Sequence, residues 1–476
     1  MRIISQKLLY LLPSGSFGII PYIDIGYLNM NPRPKKITEI PGPKSRSLCS
    51  EEAKHLAPGL QGFALMAGVA MKKGQGSYLI DVDGNEYIDF IGGIGVNGLG
   101  HSHPRFVKAL QAQLENLSVG SFTSEARVGL LQKISKIAPK GVDRLQLYSS
   151  GAEAVESAMR LAKCYTGKWE FISFWGGFHG KTLGVMGLLG DTQKKSYGPF
   201  AAGMHQVPYP DCYRCPFDKK PDNCAMVCVD FFRKYARTAT AGAVAAVIVE
   251  PMQGTAGNII PPKGWLAAVR EVCNEIGALL ICDEMITGFG RTGSWFASIA
   301  QGVIADIITL GKSFGGGFPV SGILSTDEIT QAKPWSNPSG SSSSYGGNAL
   351  AARAALTAIE IIEEEKLCEN SRAMGERLLL HFKKMQEKYP FIGEVRGQGL
   401  FLGLEMVRDR VSKEPISEQR MKKVYLDGVR RGFLAMSYKA SIRIQPALTI
   451  NAVAIDAGAA ILDDIFFEMH RANDWQ

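Results

Sequence analysis

The feature that most constrains the fold is a regular alternation of short apolar runs with helix-length amphipathic segments, between about residues 104 and 330. Strands that alternate with helices in this way form a mostly parallel sheet covered by helices on both faces. Such sheets bind ligands beyond the carboxyl ends of their strands. Residues that directly follow the apolar runs are therefore the first candidates for a functional site. The strand candidates are RLQLY, EFISF, AAVIVE, ALLICDE and DIITLGK.

Strand-rich regions also flank this alternation on both sides. The stretch SYLIDVDGNEYIDF predicts a β-hairpin that turns at Asp83 and Gly84. After helices near 348–388, GEVRGQGLFLGLEM and SIRIQ predict further strands, followed by an amphipathic helix at 453–470. The stretch NPSGSSSSYGG is typical of a loop. We expect an α/β protein divided into an N-terminal extension (1–30), the N-terminal segment of a small domain (31–103), a large domain (104–365) and a C-terminal small domain (366–476).

Composition narrows the function classes. The net charge of +8 is spread over 476 residues without a basic cluster interleaved with aromatics, which argues against nucleic-acid binding. No apolar stretch reaches the ~20 residues that cross a bilayer, so no membrane partner is expected. Nine cysteines do not make a disulfide scaffold in a chain of this length, and Cys273 and Cys282 lie in apolar runs, so the expected location is cytoplasmic.

The apolar segment 1–29 allows two interpretations. Arg2, Lys7 and the scarcity of acids allow a signal or transit peptide. Pro13 and Gly15 interrupt its apolar part early, which favours a dispensable extension or a misplaced start.

Two strand candidates end in charged residues that can take part in a chemical reaction. ALLICDE runs directly into Asp283, and a carboxylate placed there can bind a protonated pyridine nitrogen and keep the ring an electron sink. The alternative is that Asp283 caps the following turn. DIITLGK ends in Lys312. Partial desolvation would lower the pKa of this lysine, and the neutral amine could then form a Schiff base. A solvated lysine is the alternative.

Two further segments offer contacts to a flat phosphorylated ligand. Ser150, Gly151 and Ala152 precede or open a helix, where free N–H groups bind phosphate, although a plain N-cap has the same pattern. In FWGGFHGKT the ring of Phe178 can stack on a ligand, and His179 is either a neighbour of that ligand or a structural hydrogen-bonding residue.

In chain order, SGAEA, FHGKT, EPMQG, DEMITGFGRTG, LGKSFGGGFP, SYGGN and VRGQGLFLGLE closely resemble the motif series of class III, ω-transaminase-like aminotransferases, from about Gly76 to the C-terminus. The resemblance implies pyridoxal 5′-phosphate (PLP), the aspartate-aminotransferase-type fold (PLP fold type I) with a small α+β domain, and a homodimer with active sites at the subunit interface. A tetramer is the alternative assembly. The implied partners are a small-molecule amine donor and an oxo-acid acceptor.

The same resemblance assigns roles by position. Lys312 matches the Schiff-base lysine, which also carries the proton in catalysis, and Asp283 matches the pyridine partner. Arg396 matches the arginine that grips a substrate carboxylate. Phe178 and Met285 match the residues on the two faces of the ring. The phosphate cup matches Ser150, Gly151 and Ala152, with Ser344 reaching it from the neighbouring subunit.

Three positions depart from 4-aminobutyrate and ornithine aminotransferases. Thr255 replaces the glutamate that neutralises the carboxylate-binding arginine, Lys181 replaces an arginine that binds the distal carboxylate, and Ile286 replaces a glutamine near the cofactor hydroxyl. These changes favour amines or diamines as donors, and pyruvate over 2-oxoglutarate as acceptor. Other chemistries of the same fold, a racemase, an amine-phosphate phospholyase or a decarboxylating enzyme, are the alternatives, and a non-catalytic homologue is the remote one.

A cysteine-rich segment, DCYRCPFDKKPDNCAMVC, stands apart from the catalytic motifs. Its four thiols could bind a metal, form disulfides or stay reduced. The spacing is shorter than in usual zinc ribbons and includes no histidine, so no metal is assigned. The four residues are Cys212, Cys215, Cys224 and Cys228.

Overall fold

The computed structural model describes residues 33–476 and the backbone of two short antiparallel strands upstream, β1 (Leu9–Leu11) and β2 (Phe17–Ile19). The rest of the predicted N-terminal extension lies outside the described residues. Within the described part, no helix combines the length and the apolar character that crossing a membrane requires.

Strands and helices are numbered in chain order. The remaining strands are β3 (Met71–Gln75), β4 (Tyr78–Asp81), β5 (Glu86–Asp89), β6 (Arg144–Tyr148), β7 (Glu170–Phe174), β8 (Met204–Val207), β9 (Val244–Val249), β10 (Leu279–Asp283), β11 (Ile307–Leu310), β12 (Ser321–Ser325), β13 (Ile392–Gln398), β14 (Phe401–Met406), β15 (Phe433–Leu434) and β16 (Ser441–Ile444). The helices are α1 (Pro43–Glu52), α2 (Gly62–Ala67), α3 (Gly92–Gly95), α4 (Pro104–Asn116), α5 (Glu125–Ile137), α6 (Gly151–Thr166), α7 (Leu183–Met186), α8 (Val227–Thr238), α9 (Trp265–Ile276), α10 (Ala297–Ala300), α11 (Asp327–Thr330), α12 (Ala349–Glu364), α13 (Leu367–Lys388), α14 (Glu418–Arg430) and α15 (Ala452–Arg471).

The central sheet confirms the predicted alternation. Its strand order is β6-β12-β11-β10-β9-β7-β8, and every neighbouring pair is parallel except those of β12, which runs antiparallel to β11 and β6. All residues of β7 and β9 are buried, as expected for strands covered on both faces. Burial of each Val or Ile side chain of β9 contributes roughly 1.5–3 kcal/mol. All five strand candidates are present as β6, β7, β9, β10 and β11.

One of two smaller sheets combines strands from the two ends of the described chain. The predicted hairpin is β4–β5, paired antiparallel with Tyr78 opposite Ile88. It belongs to a sheet of order β15-β5-β4-β3, in which β15 comes from the C-terminal region. The other sheet, β13-β14-β16, is antiparallel throughout. The exact domain boundaries stay predictions.

Candidate active site

A cavity of about 350 Å³ lies where the central strands end, a volume suited to a small ligand. It collects seven of the residues that the sequence predicts for the site. Ser150 is adjacent in the chain, whereas Ser344 and Arg396 do not line this cavity. The seven lining residues are Gly151, Ala152, Phe178, His179, Asp283, Met285 and Lys312.

Asp283 is fixed at the floor of the cavity by three contacts. Its Oδ2 lies 2.7 Å from Nδ1 of His179, and both side chains are almost fully buried. The Thr309 hydroxyl donates to Oδ1 at 3.0 Å, and the backbone N–H of Met285 donates to the same oxygen at 3.1 Å. The contact with Thr309 comes from the parallel pairing of β10 with β11, which places Asp283 opposite Thr309.

The environment keeps this carboxyl ionised. Burial alone would raise the pKa of Asp283, but the hydrogen bond with His179 and the charges of His179 and Lys312 outweigh burial. The pKa of Asp283 is therefore lowered from its ordinary value. An ionised carboxylate at the floor of a buried cavity is a partner for a positively charged group of a ligand.

Lys312 enters the same cavity from the neighbouring strand. β11 ends at Leu310, and after Gly311 the backbone of Lys312 adopts a left-handed conformation with φ of 49° before a short 3₁₀ turn, Lys312–Gly315. A residue other than glycine pays for this conformation, and such strain is concentrated at functional sites. Burial lowers the pKa of Lys312, although the carboxylates of Asp283 and Glu250 act in the opposite direction. The lowered pKa makes a neutral, nucleophilic amine more accessible.

The start of α6 forms a polar wall of the cavity. The Ser150 hydroxyl caps the helix by accepting from the N–H of Glu153 at 3.3 Å, and the Glu153 carboxylate accepts from the N–H of Ser149 at 3.0 Å. The N–H groups of the first helical residues, Gly151 and Ala152, have no partner within the helix and lie at its positive end. The arrangement suits a phosphate.

Glycines allow the walls to approach one another closely. Gly180, with φ of 127°, lies so close to the start of α6 that an added Cβ would be 2.6 Å from the Cβ of Ala152. An added Cβ on Gly311 would meet the sulfur of Met285 at 2.5 Å. These positions exclude any larger residue and set the width of the cavity.

Glu250 is a site residue that the sequence analysis did not name, although it begins the EPMQG motif. Its carboxylate accepts from the backbone N–H of Phe178 and of Gly254, both at 2.9 Å, and so fixes the segment that carries the Phe178 ring. Burial raises the pKa of Glu250. The available signal was the same as for Asp283, a carboxylate that directly follows a buried strand, here β9. By contrast, Glu284, the residue after Asp283, does not line the cavity, and its carboxylate accepts from the N–H of Ser298 at 2.7 Å at the start of α10.

Arg396 does not line this cavity, and its side chain is bound by neighbouring residues, so its predicted contact with a substrate carboxylate stays a prediction. Its guanidinium forms ion pairs with Glu394 at 2.6 Å and with Glu405 at 3.0 Å. It also donates to the carbonyl of Gly257 at 2.8 Å and to the hydroxyl of Ser441 at 2.8 Å. A substrate carboxylate would have to displace these partners, because side chains on the same sheet already occupy the guanidinium.

Ser344 lies in the predicted loop at 337–347 and is exposed. Its predicted contact is with the phosphate of a neighbouring subunit, so this role concerns a second chain and stays a prediction. The adjacent Tyr345 is 65% exposed, and the buried serine of this loop is Ser341, whose hydroxyl lies 2.6 Å from that of Tyr148.

The three positions that depart from the 4-aminobutyrate and ornithine aminotransferases do not line the cavity, although Lys181 and Ile286 directly follow the lining residues Gly180 and Met285. Lys181 is exposed, and its amine lies 6.0 Å from the centre of the Phe178 ring. Ile286 is buried against Gly254, whose added Cβ would meet it at 3.0 Å. Thr255, in the loop after β9, is partly buried.

The four thiols of the cysteine-rich segment are free and partly buried in the structure. Burial raises the pKa of Cys212 to about 11, with further contributions from the other three thiols, which therefore lie near it. Across residues 33–476, no group of three or more metal-binding side chains is assembled.

The residues present fit PLP. The cavity combines an amine on Lys312, a buried ionised carboxylate on Asp283, an aromatic ring on Phe178 and free N–H groups at the start of α6. These donors and acceptors match an aldehyde, a pyridine nitrogen, a flat ring and a phosphate respectively.

Comparisons with known proteins agree with this geometry. The family model described as "Aminotransferase class-III" matches residues 63–466. A leucine/methionine racemase of Thermococcus litoralis is 36% identical over 82% of this chain and 89% of its own length. A 5-aminovalerate aminotransferase of Pseudomonas putida is 37% identical over 83% of this chain and 92% of its own length. The structure of a PLP-bound amine transaminase from an uncultivated Pseudomonas species, 29% identical, superposes with a TM-score of 0.82 over 87% of this chain and 98% of that one.

Proposed function

This chain belongs to the class III aminotransferase family, whose cofactor is PLP, and from that premise we propose its donors, acceptor and site residues. The donor is a primary amine, a diamine or an ω-amino acid, and the acceptor is an oxo acid, in a ping-pong reaction. The observation that carries the proposal is the meeting of Lys312 and Asp283 in one cavity at the ends of adjacent parallel strands.

Each part of the cofactor has a proposed partner in the cavity. Asp283 would bind the pyridine nitrogen, with His179 and Thr309 holding the carboxylate in place. The N–H groups of Gly151 and Ala152, with Ser150, would bind the phosphate. Phe178 and Met285 would enclose the ring. When bound, PLP supplies a carbonyl that accepts amines and a ring that withdraws electrons from the substrate carbon.

Lys312 would perform two tasks in turn. Its Nζ would hold the cofactor at rest, and when an amine substrate is bound the same nitrogen would move a proton away from the substrate carbon. The lowered pKa of Lys312 supports the second task, because a neutral amine is required to accept that proton. Fixed contacts to Asp283 and Phe178 keep the reacting groups aligned while Lys312 acts.

A homodimer is the proposed functional unit, with a tetramer as the alternative. Helix α4 has no buried residue in the single chain although it is amphipathic. The exposed apolar residues Leu114, Leu117 and Val119 continue to Phe122, which is 90% exposed. Several large apolar side chains left exposed along one segment favour a subunit interface, and Ser344 on a partner subunit would complete the phosphate site. The free thiols support the cytoplasm as the location.

Pyruvate is the favoured acceptor, with 2-oxoglutarate as the alternative. Lys181 retains a positive charge near Phe178 without the planar fork of an arginine, and Ile286 places a buried apolar side chain directly after the lining residue Met285. Both properties favour an acceptor without a distal carboxylate.

A second candidate is amino-acid racemisation, favoured by the relative with a leucine/methionine racemase name at 36% identity. The same lysine and carboxylate serve both reactions on this fold. The two functions differ in what remains on the enzyme: transamination leaves the amino group on the cofactor, whereas racemisation returns the cofactor to its starting form.

The deciding experiment mixes the purified holoenzyme with single amines, diamines, ω-amino acids and enantiopure α-amino acids without an acceptor, while the visible absorbance of the cofactor is followed. Stoichiometric loss of the visible band with a donor, reversed by pyruvate, is the expected result. A persistent band with inversion of an enantiopure amino acid would establish the racemase instead.

A further inference from the structure

A backbone turn of unusual conformation leads into the active-site cavity. Four consecutive residues have φ between 55° and 71°, in the left-handed region, namely Gly92, Gly93, Ile94 and Gly95. Glycine tolerates this region, but a β-branched residue such as Ile94 rarely adopts it. Val96, the next residue, lines the cavity. These four residues, the left-handed turn, therefore need contacts from outside to hold them, and those contacts bear on the site.

The left-handed turn also packs against the segment that carries the reactive lysine. The Ser313 hydroxyl donates to the carbonyl of Gly95 at 3.3 Å. Shortly after the turn, Gly98 lies so close to Ser313 that an added Cβ would be 2.7 Å from the same hydroxyl oxygen. Because Ser313 directly follows Lys312 in the chain, a shift of the turn would also shift the backbone that holds the lysine.

Asp89, the last residue of β5, fixes the point where the chain leaves the strand and enters the turn. Its side chain is only 5% exposed. Oδ1 of this carboxylate accepts from the backbone N–H groups of Ile91 and Gly92, both at 2.9 Å. One oxygen of Asp89 therefore holds two successive N–H groups at the start of the left-handed turn.

His101 binds the other oxygen of Asp89 and closes the loop between them. Its Nε2 lies 2.8 Å from Oδ2, and because a carboxylate accepts and does not donate, Nε2 carries the hydrogen. The backbone N–H and carbonyl of His101 both pair with Gly76 at 2.8 Å. An added Cβ on Gly74 would meet the Cβ of His101 at 2.6 Å. The imidazole therefore has a fixed place from which it anchors Asp89.

We propose that Asp89 and His101 are positioning residues, which hold the left-handed turn against Ser313 and so keep the amine of Lys312 aligned with the substrate carbon. The inference rests on the proposed function, in which Lys312 moves the proton. Neither Asp89 nor His101 lines the active-site cavity, so both act through the turn. Proton transfer depends steeply on alignment, and a misplacement of about 1 Å caused by a distant change can slow a reaction on the order of 100-fold.

A second pair of the same construction lies away from the cavity and provides a matched control. Glu170 accepts from the N–H of Ala241 at 2.9 Å and of Ala243 at 3.0 Å, and one of its oxygens lies 2.9 Å from Nε2 of His205. Its side chain is 3% exposed, close to the value for Asp89. Glu170 begins β7, whereas the cavity lies where the central strands end. Breaking this pair therefore disturbs the fold at the opposite edge of the sheet.

The test compares the PLP-loaded wild type with three variants of the site pair, His101→Leu, His101→Gln and Asp89→Asn, and two of the control pair, His205→Leu and Glu170→Gln. Stopped-flow absorbance gives the limiting rate and the half-saturating concentration for the donor to which the wild type responds most strongly in the panel above. Hydrogen exchange followed by mass spectrometry measures the protection of the peptide that contains the left-handed turn. Urea unfolding measures the stability of each variant.

For His101→Leu and Asp89→Asn we expect the limiting rate to fall about tenfold, while the half-saturating donor concentration stays within about threefold of the wild type. The turn peptide should exchange faster in both. His101→Gln should recover most of the rate, because its amide N–H can donate to Asp89. His205→Leu and Glu170→Gln should lower the urea midpoint by a similar amount, and keep the wild-type rate and the wild-type exchange of the turn.

Three results would overturn the proposal. The first is unchanged exchange of the turn in His101→Leu and Asp89→Asn, since the pair would then not hold it. The second is faster exchange without a slower limiting rate. The third is an equal loss of rate in the control variants, which would indicate general destabilisation. Failure of the wild type to react with any donor would contradict the proposed function instead, and the exchange measurement would still show whether Asp89 and His101 hold the turn.

Discussion

Replacement of Asp283 by asparagine removes one charge from the floor of the cavity and almost no volume. The amide oxygen of the asparagine can still accept from Thr309 and from the N–H of Met285. The substitution therefore mainly alters the contact with His179, at 2.7 Å. Removing one partner of a buried ion pair costs about 3–5 kcal/mol when the other charge stays buried. Because a neutral imidazole can still bond to the amide, we expect a loss of about 2 kcal/mol in the free energy of unfolding at pH 8.

The pH dependence has a definite sign. The folded pKa of Asp283 is lowered, so its ionisation stabilises the fold above the unfolded value of about 3.9, and this contribution is lost as the pH falls through the lower folded pKa. The difference between the wild type and Asp283→Asn should therefore persist down to about pH 4 and shrink below it. Urea unfolding followed by circular dichroism across this range measures it.

The same variant tests the catalytic role of the carboxylate. Loss of a buried charge that stabilises a developing ligand charge should slow the half-reaction by roughly 10²–10³-fold, measured by stopped-flow absorbance with an amine donor. Asp456→Asn is the matched control, because Asp456 also pairs with a histidine, His381 at 2.9 Å, together with Arg377 at 2.7 Å, but in a half-exposed place, so the change should cost about 1 kcal/mol or less. A half-reaction of Asp283→Asn within about threefold of the wild type would refute the assignment of Asp283.

Three further outcomes are expected. Gly180→Ala should weaken PLP binding, measured by equilibrium dialysis, at least about tenfold, because the added Cβ would press on Ala152. Its control is Gly167→Ala, also at positive φ but with open space around it, which should keep the PLP affinity and lower the free energy of unfolding by about 1 kcal/mol. Equal PLP affinity in the two variants would contradict the close approach of Gly180 to Ala152. Glu250→Gln can accept only one of the two backbone N–H groups, so the half-reaction should slow about tenfold while the protein stays folded; an unchanged rate would remove Glu250 from the positioning of Phe178. Leu114→Glu should shift the protein towards monomers in analytical ultracentrifugation, and an unchanged assembly would exclude α4 from the interface.

The sequence was sufficient for the residues that depend on strand ends. Asp283 and Lys312 each follow a buried apolar run, and the parallel pairing of β10 with β11 brings them together. A local pattern therefore predicted a non-local meeting, because the carboxyl ends of parallel strands share one edge. The strands β8 and β12 were missed, since MHQV and SGILS lack a continuous apolar run.

The residues that depend on side-chain partners were not predictable in the same way. Arg396 lies in the expected motif, VRGQG. Its ion pairs with Glu394 and Glu405, however, follow from the register of β13 with β14, which places the two glutamates opposite each other.

The attachment of the cofactor to Lys312 is the central claim, and reduction of the PLP-loaded protein with borohydride tests it most directly. Borohydride fixes a pyridoxyl group on the lysine that holds it, and peptide mass spectrometry locates that lysine. The account predicts a single adduct on the peptide that contains Lys312 and none in Lys312→Ala. An adduct on another lysine, such as the nearby Lys181, or no adduct in the wild type, would contradict it.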